Sequence, residues 1–167
     1  MSTTIENLNA AFAGESQANR KYLAFGKKAA DEGFPQIAKL FRAVSAAETI
    51  HAHNHLRAMD SVKSTAENLE AAIGGENYEV VSMYPPMLAE AEAESDKRAA
   101  RSFGWALEVE KIHEGLYRKM AELLSKGKDV PETEYYVCPV CGFTHEGPMT
   151  DKCPICGAPA EKFEKVD

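Results

Sequence analysis

The sequence has 167 residues, room for one large domain or for a medium domain followed by a small one, and all four cysteines fall after residue 137, which favours the second arrangement. Nineteen basic against twenty-six acidic residues give a formal charge of -7 without a Lys/Arg cluster dense enough to track phosphates, so nucleic acid is not an expected partner. No apolar run approaches the ~18 residues of a membrane span, the N-terminus lacks the basic start and apolar core of a secretory signal, and the cysteines come as C-x-x-C pairs and not as scattered disulfide partners; the expected location is cytoplasmic, with no membrane partner.

Up to the cysteines the chain is rich in Ala, Glu, Lys and Leu and poor in proline, the composition of long helices. Ser2, Thr3 or Thr4 caps a first helix that runs to about Asp31, where Gly33 ends it. Pro35 suits the first turn of a second helix, which runs to about Asp60. Ser64-x-x-Glu67 reads as a capping box opening a third, continuing to about Glu94. The fourth spans roughly Asp96 to Leu124, after which Ser125-Lys-Gly-Lys-Asp-Val-Pro-Glu-Thr has the polarity and breakers of a linker. The expected domains are a helical unit over 1–127, a linker over 128–134 and a small cysteine domain over 135–167.

In each helix an apolar seam at helical spacing is interrupted by acids near its middle. The first seam is Leu8, Phe12, Glu15, Asn19, Tyr22, Gly26 and Ala29; the second is Ile37, Phe41, Val44, Glu48, His51, His55 and Ala58. The third is Leu69, Ile73, Glu76, Val80, Met83 and Met87, and the fourth is Phe103, Ala106, Glu110, His113, Tyr117, Met120 and Leu124. A carboxylate facing a bundle core costs several kcal/mol unless it is protonated, paired or bound to a metal, so four at mid-helix call for one shared explanation. One Glu from each of two helices and Glu-x-x-His from each of the other two is the known ligand pattern of ferritin-like di-iron bundles. Carboxylates supply charge and bridge two cations, while neutral imidazole terminates each metal. A single Glu-x-x-His is a weak signal; four coincident seams are a strong one.

Other residues are less decided by spacing. Glu79, three beyond Glu76, could reach the same metals as a fifth carboxylate or be a surface acid. Tyr22, two turns along the seam from Glu15, could hydrogen-bond an acid ligand or simply pack in the core. His53 falls off the seam and reads as solvated, His55 as buried or adjacent to the site but not a ligand, and His145 as a turn residue.

Cys138-Pro-Val-Cys141-Gly and Cys153-Pro-Ile-Cys156-Gly form two matching knuckles eleven residues apart, a strong signal for one tetrahedral four-thiolate site. A domain of about 33 residues buries too little apolar surface to fold unaided, so the metal should supply much of its folding free energy. Spacing alone leaves iron and zinc open; a dimetal site in need of electrons favours iron over zinc.

The segments Ala11-Phe12-Ala13-Gly14-Glu15-Ser16, Gly75-Glu76-Asn77-Tyr78-Glu79 and Met83-Tyr84-Pro85, with the two Glu-x-x-His motifs and the paired cysteines in this order, resemble rubrerythrin across essentially the whole chain. The resemblance implies an all-α ferritin-like four-helix bundle followed by a small rubredoxin-like, metal-stapled β/loop domain. It also implies a peroxidase that reduces hydrogen peroxide to water, with electrons from rubredoxin or an NADH-dependent reductase. Carried over, Glu15 terminates one iron, Glu76 and His113 the other, Glu48 and Glu110 bridge them, and Glu79 and His51 exchange as ligands with redox state. Tyr22 and Tyr84 match tyrosines that hydrogen-bond the site, and the cofactors are two irons there and one in the four-cysteine site. A Gly-rich strand-to-helix fingerprint for direct NADH binding is not found in the sequence, so a separate donor is required. The rival readings are a ferrous oxidase using dioxygen and a non-catalytic iron-binding or electron-carrier protein.

Chain length adds a constraint. Glu48 to Asp60 and Thr65 to Glu76 advance ~18 Å and ~16 Å along their helices. A parallel pair with both acids at one height would need a return of ~34 Å, whereas about five linking residues reach only ~17 Å. The third helix therefore runs antiparallel in one bundle, is partly unwound, or belongs to another bundle. Because some rubrerythrins exchange helix pairs between subunits, the expectation is a domain-swapped homodimer with Glu15, Glu48 and His51 from one chain and Glu76, Glu79, Glu110 and His113 from the other.

Overall fold

The computed structural model describes residues 3–127 and 132–166. Ser2 as a cap and most of the expected linker, at 128–131, lie outside the described residues. The chain is mostly helical, with a small strand-and-loop region at the C-terminus, and it divides into two compact units, Met1–Lys63 and Ser64–Asp167. Among the described residues no helix is long and apolar enough to cross a membrane.

The first unit is a hairpin of α1 (Thr4–Asp31) and α2 (Pro35–Ala58). Thr3 caps α1 through a capping box with Glu6, satisfying N–H groups that the first turn leaves without partners. Gly33, at φ 82, makes the turn, and Pro35 supplies the preset φ at the start of α2. The helices run antiparallel and approach through small residues: Gly26 packs so near α2 that a Cβ there would lie 3.3 Å from the Ala38 carbonyl oxygen and from Phe41 Cβ. The buried line is Asn19, Gly26 and Ala29 against Ala38, Ser45 and Ala52. Asn19 meets its polar obligations there by donating from Nδ2 to the Ser45 carbonyl (2.8 Å) and to Thr49 Oγ1 (2.8 Å).

In the second unit α3 (Thr65–Tyr78) begins with the expected Ser64/Glu67 capping box, and α5 (Lys97–Ser125) begins at Asp96, whose carboxylate accepts from the Arg98 and Ala99 N–H groups. Here the structure corrects the sequence reading, which makes one helix from Ser64 to Glu94. After Tyr78 the backbone widens into a five-residue π-helical segment, Glu79–Met83, and α4 (Tyr84–Ala93) follows. Pro85 and Pro86 offer no N–H, and their rings crowd the carbonyls one turn earlier, so a regular helix cannot pass through them. The wider turn, with the Tyr84 N–H donating to the Glu79 carbonyl, absorbs the mismatch without ending the rod. α5 packs antiparallel against α3 and α4, as the Asn77–Glu114 and Tyr84–Phe103 contacts indicate.

The C-terminal sheet has the order β2-β1-β3, built from β1 (Tyr135–Val137), β2 (Thr144–Glu146) and β3 (Glu164–Val166), all antiparallel. His145 is therefore a strand residue paired with Tyr136, not the turn residue expected. The sheet is too small for a core of its own. Its buried cluster of Cys138, Phe143, Cys153 and Ala158 includes Val109 of α5, with Ile112 packed beside it.

Candidate metal centres

Each knuckle is made by the same pair of backbone hydrogen bonds. The Cys138 N–H donates to the Phe143 carbonyl and the Gly142 N–H back to Cys138, both at 2.9 Å; Cys153, Ala158 and Gly157 repeat the pattern at 2.7 and 2.9 Å. Gly142 and Gly157 sit at φ 84 and 74, where a side chain would strain the turn. The four sulfurs converge, with Cys138 and Cys156 3.6 Å apart and Cys141 and Cys153 3.5 Å apart. That is far beyond a disulfide bond and close to the about 3.8 Å edge of a tetrahedron with metal–sulfur bonds of about 2.3 Å. Burial raises the Cys141 and Cys156 thiols; at Cys153 burial is outweighed by the N–H groups of Cys156 and Ile155 together with the Cys141 and Cys156 thiols, and the thiol is lowered. Four thiolates this close do not ionise together without a cation, and the donor set fits a tetrahedral iron or zinc ion.

The carboxylate and histidine residues gather as two triplets. In the first unit Glu15, Glu48 and His51 bring ligand atoms within 4.8 Å of one another, with His51 Nδ1 2.8 Å from Glu48 and 3.8 Å from Glu15. In the second, Glu76, Glu110 and His113 do the same, with His113 Nδ1 2.6 Å from Glu110. Each triplet has two acids and one imidazole on the seam of its own hairpin.

The second triplet carries electrostatic stress. Burial, then contact with Glu110 and the charges of Glu110, Glu79 and Glu114, push Glu76 up to about 7. Glu79, at the first position of the π-helical segment, is not within the triplet. It lies close enough that the Glu110 charge adds to burial in raising it, while His113 acts the other way. Tyr84 is raised by burial and then by Glu79, Glu110 and Glu76, so it keeps its phenolic proton beside them. Like charges held this close raise one another's pKa, and acids with one imidazole are a donor set that suits a hard or borderline divalent metal.

Tyr22 belongs to an aromatic group with Phe25 and Phe41, at ring distances of 6.3 and 6.1 Å. Neither its hydroxyl nor that of Tyr84 makes a hydrogen bond among the described residues. His53 is exposed and His55 half-buried, and neither joins a triplet. Two neighbours of the second triplet escape the sequence reading. Glu114, one turn beyond Glu110, takes hydrogen bonds from Asn77 and Arg118, and its spacing could have signalled it. Thr144, 31 residues from His113, places Oγ1 3.0 Å from His113 Nε2, and no sequence pattern announces that contact.

Comparison with known proteins agrees with this arrangement. The Rubrerythrin family model matches residues 6–121, and that of the rubrerythrin rubredoxin-like domain matches residues 136–164. Rubrerythrin-2 of Clostridium acetobutylicum is 38% identical over 175 residues, spanning 96% of this chain and 95% of that protein. Nigerythrin of Nitratidesulfovibrio vulgaris is 36% identical over 176 residues, spanning 96% and 85%. The solved structure of nigerythrin in its fully reduced, all-ferrous state is 33% identical and superposes with a TM-score of 0.59, covering 99% of this chain and 88% of that one. With ferritin-like helices bearing two carboxylate/histidine triplets, and a rubredoxin-like domain bearing four converging thiols, the chain belongs to the rubrerythrin family.

Proposed function

We propose that the protein is a non-haem di-iron peroxidase that reduces hydrogen peroxide to water, with electrons relayed through a four-cysteine iron from rubredoxin or an NADH-dependent reductase. The observation that carries this reading is the crowding of Glu76, Glu79 and Glu110 around His113, on the helix that also supports the cysteine knuckles. Glu15 would help hold one iron and Glu76 with His113 the other, Glu48 and Glu110 would be shared carboxylate ligands, and Glu79 and His51 would be exchanging ligands. Bound iron supplies the two electrons that cleavage of the oxygen–oxygen bond requires; with two protons, one hydrogen peroxide becomes two waters. The chain supplies a proton position: Tyr84 keeps its phenolic proton beside Glu76 and Glu79. Tyr22 is the corresponding tyrosine on the first hairpin. A reducing, cytoplasmic setting would keep the four thiols available for metal.

The two triplets lie on different units, so the complete site requires a first hairpin to meet a second. We assign that meeting to a homodimer in which helix pairs are exchanged. The ~17 Å reach of the short connection against the ~34 Å return supports it, as do Phe25, Ile37 and Leu40 of the first hairpin, which remain 48, 50 and 63% exposed. Gel filtration showing a monomer that retains both irons would end the assignment.

The function is tested by reducing the iron-loaded protein without air, adding one equivalent of hydrogen peroxide or dioxygen in parallel, and following both iron chromophores by rapid-mixing absorption. Fast oxidation by peroxide and slow oxidation by dioxygen is the expected result. The reverse order would make the protein a ferrous oxidase, and inertness to both a non-catalytic metal carrier.

A further inference from the structure

The cysteine domain meets α5 at Val109, Ile112 and His113, a patch of residues three and four apart on one helical face. Val109 is 2% exposed, and Gly142 comes close enough that a Cβ there would lie 3.9 Å from Val109 Cγ1. At the edge of this apolar contact stands one polar pair, His113 Nε2 and Thr144 Oγ1 at 3.0 Å. The hydroxyl also donates to the Gly142 carbonyl at 3.2 Å. A threonine hydroxyl has one proton, so with that proton spent on Gly142 it can only accept from His113. His113 must then carry a proton on Nε2, and Nδ1, 2.6 Å from Glu110 Oε2, is the nitrogen turned toward Glu110 and Glu76, where a metal would replace the proton shared with Glu110.

From this geometry we infer that Thr144 is a positioning residue for the carboxylate/histidine centre. Its hydroxyl fixes the tautomer and ring orientation of His113, so that Nδ1 is presented to the metal, and it ties that ligand to the knuckle containing Cys141. The inference rests on the proposed dimetal reading, because it assigns His113 as a ligand. Residues that orient a metal-binding imidazole through its other nitrogen typically change metal affinity by about ten- to hundred-fold when removed. Phe143, 7% exposed beside Phe163, anchors the strand on one side of Thr144, and the pairing of Thr144 with Val137 anchors it within the sheet. The hydroxyl is thereby held by a rigid frame and not by a loop.

The test uses the full-length protein loaded with zinc as a diamagnetic probe, with histidine nitrogens followed by long-range 15N–1H correlation. The expected spectrum has zinc on His113 Nδ1 and a slowly exchanging proton on Nε2. Thr144→Val should weaken zinc binding at the carboxylate/histidine centre about ten- to hundred-fold and speed exchange of that proton, while Thr144→Ser should restore both. Zinc on Nε2 with the proton on Nδ1 in the unmutated protein would overturn the inference, even if Thr144→Val disturbs the small domain. So would a Thr144→Val protein with unchanged affinity and exchange. Binding of only one zinc per chain, at the cysteines, would instead remove the dimetal reading on which it stands.

Discussion

Glu76 provides a sharp test because its two roles respond to one substitution with opposite signs. In the metal-free protein its carboxyl is pushed from the ordinary 4.5 to about 7 by burial and by the acids around it. Between these values the folded state binds more protons than the unfolded state, so stability is greatest at low pH and falls as pH rises from about 4.5 to 7, then levels off. The interval corresponds to at most about 3.4 kcal/mol at 1.36 kcal/mol per pH unit, and screening of a half-buried group reduces this to about 1 kcal/mol. Glu76→Gln removes the titrating group and offers an amide N–H to Glu110 in place of the shared proton. Urea denaturation of chelator-treated protein at pH 5 and pH 8, at one protein concentration, should show the variant losing about 1 kcal/mol less than the unmutated chain across that range. With metal present the order should reverse, since a tenfold loss of affinity costs about 1.4 kcal/mol of ligand-linked stability at saturation. Identical pH dependence in the two proteins would refute the electrostatic account. Unchanged metal stabilisation would refute Glu76 as a ligand.

Three further outcomes are expected. Glu79→Ala should retain the irons of the carboxylate site, read by metal analysis, yet lose peroxide turnover at least about tenfold in rapid mixing, since an exchanging ligand contributes to rate more than to retention. Cys153→Ser should remove one metal per chain and melt residues 135–166, seen as collapse of their amide resonances with the helical circular dichroism intact, because the bound ion supplies on the order of 10 kcal/mol to so small a domain. Complementation checks the exchanged dimer. A chain lacking Glu15, Glu48 and His51 and a chain lacking Glu76, Glu110 and His113 should each be inactive, whereas their mixed dimer should regain one complete site of two. Absence of activity in the isolated mixed dimer would exclude exchange.

The helices, their caps and the knuckles were legible because each depends on neighbours in sequence. Ser64 with Glu67 is a local contact that appears where the spacing places it, Thr3 is the one of three candidate caps that opens α1, and α5 begins at Asp96 as expected. The acids of each triplet share a seam for the same reason. What the sequence hid depends on distance or on competition between local rules. Thr144 reaches His113 across 31 residues, and nothing near either one requires the other. Between Tyr78 and Tyr84 the amphipathic period favours a continuous helix while two prolines forbid its hydrogen bonds, and the π-helical turn is the compromise. His145 was misplaced because a three-residue strand has too few positions for alternation to show.

The seam of α1 includes the residues that pack, Asn19, Gly26 and Ala29, but the seam of α2 does not. There periodicity selects large apolar residues, whereas the helix closes on Ala38, Ser45 and Ala52, which permit closer approach than Phe or Ile would. The larger residues are thereby left turned outward beside the acids. Ile37 and Leu40, on the arc of α2 that carries Phe41, Val44 and Glu48, remain 50 and 63% exposed, and Phe25 remains 48% exposed beside Tyr22. Covering side chains of this size contributes about 1.5–3 kcal/mol each, while association costs about 4–15 kcal/mol, so a few such residues alone bring the balance only near zero. If helix pairs are exchanged as proposed, the remainder would come from metal, because covering Phe25 and Ile37 with a partner hairpin would also bring Glu15, Glu48 and His51 to Glu76, Glu110 and His113. In that arrangement dimerisation and metal binding would be linked equilibria. Each strengthens the other by the same factor, and metal removal should raise the dimer dissociation constant by as much as monomer formation weakens metal binding.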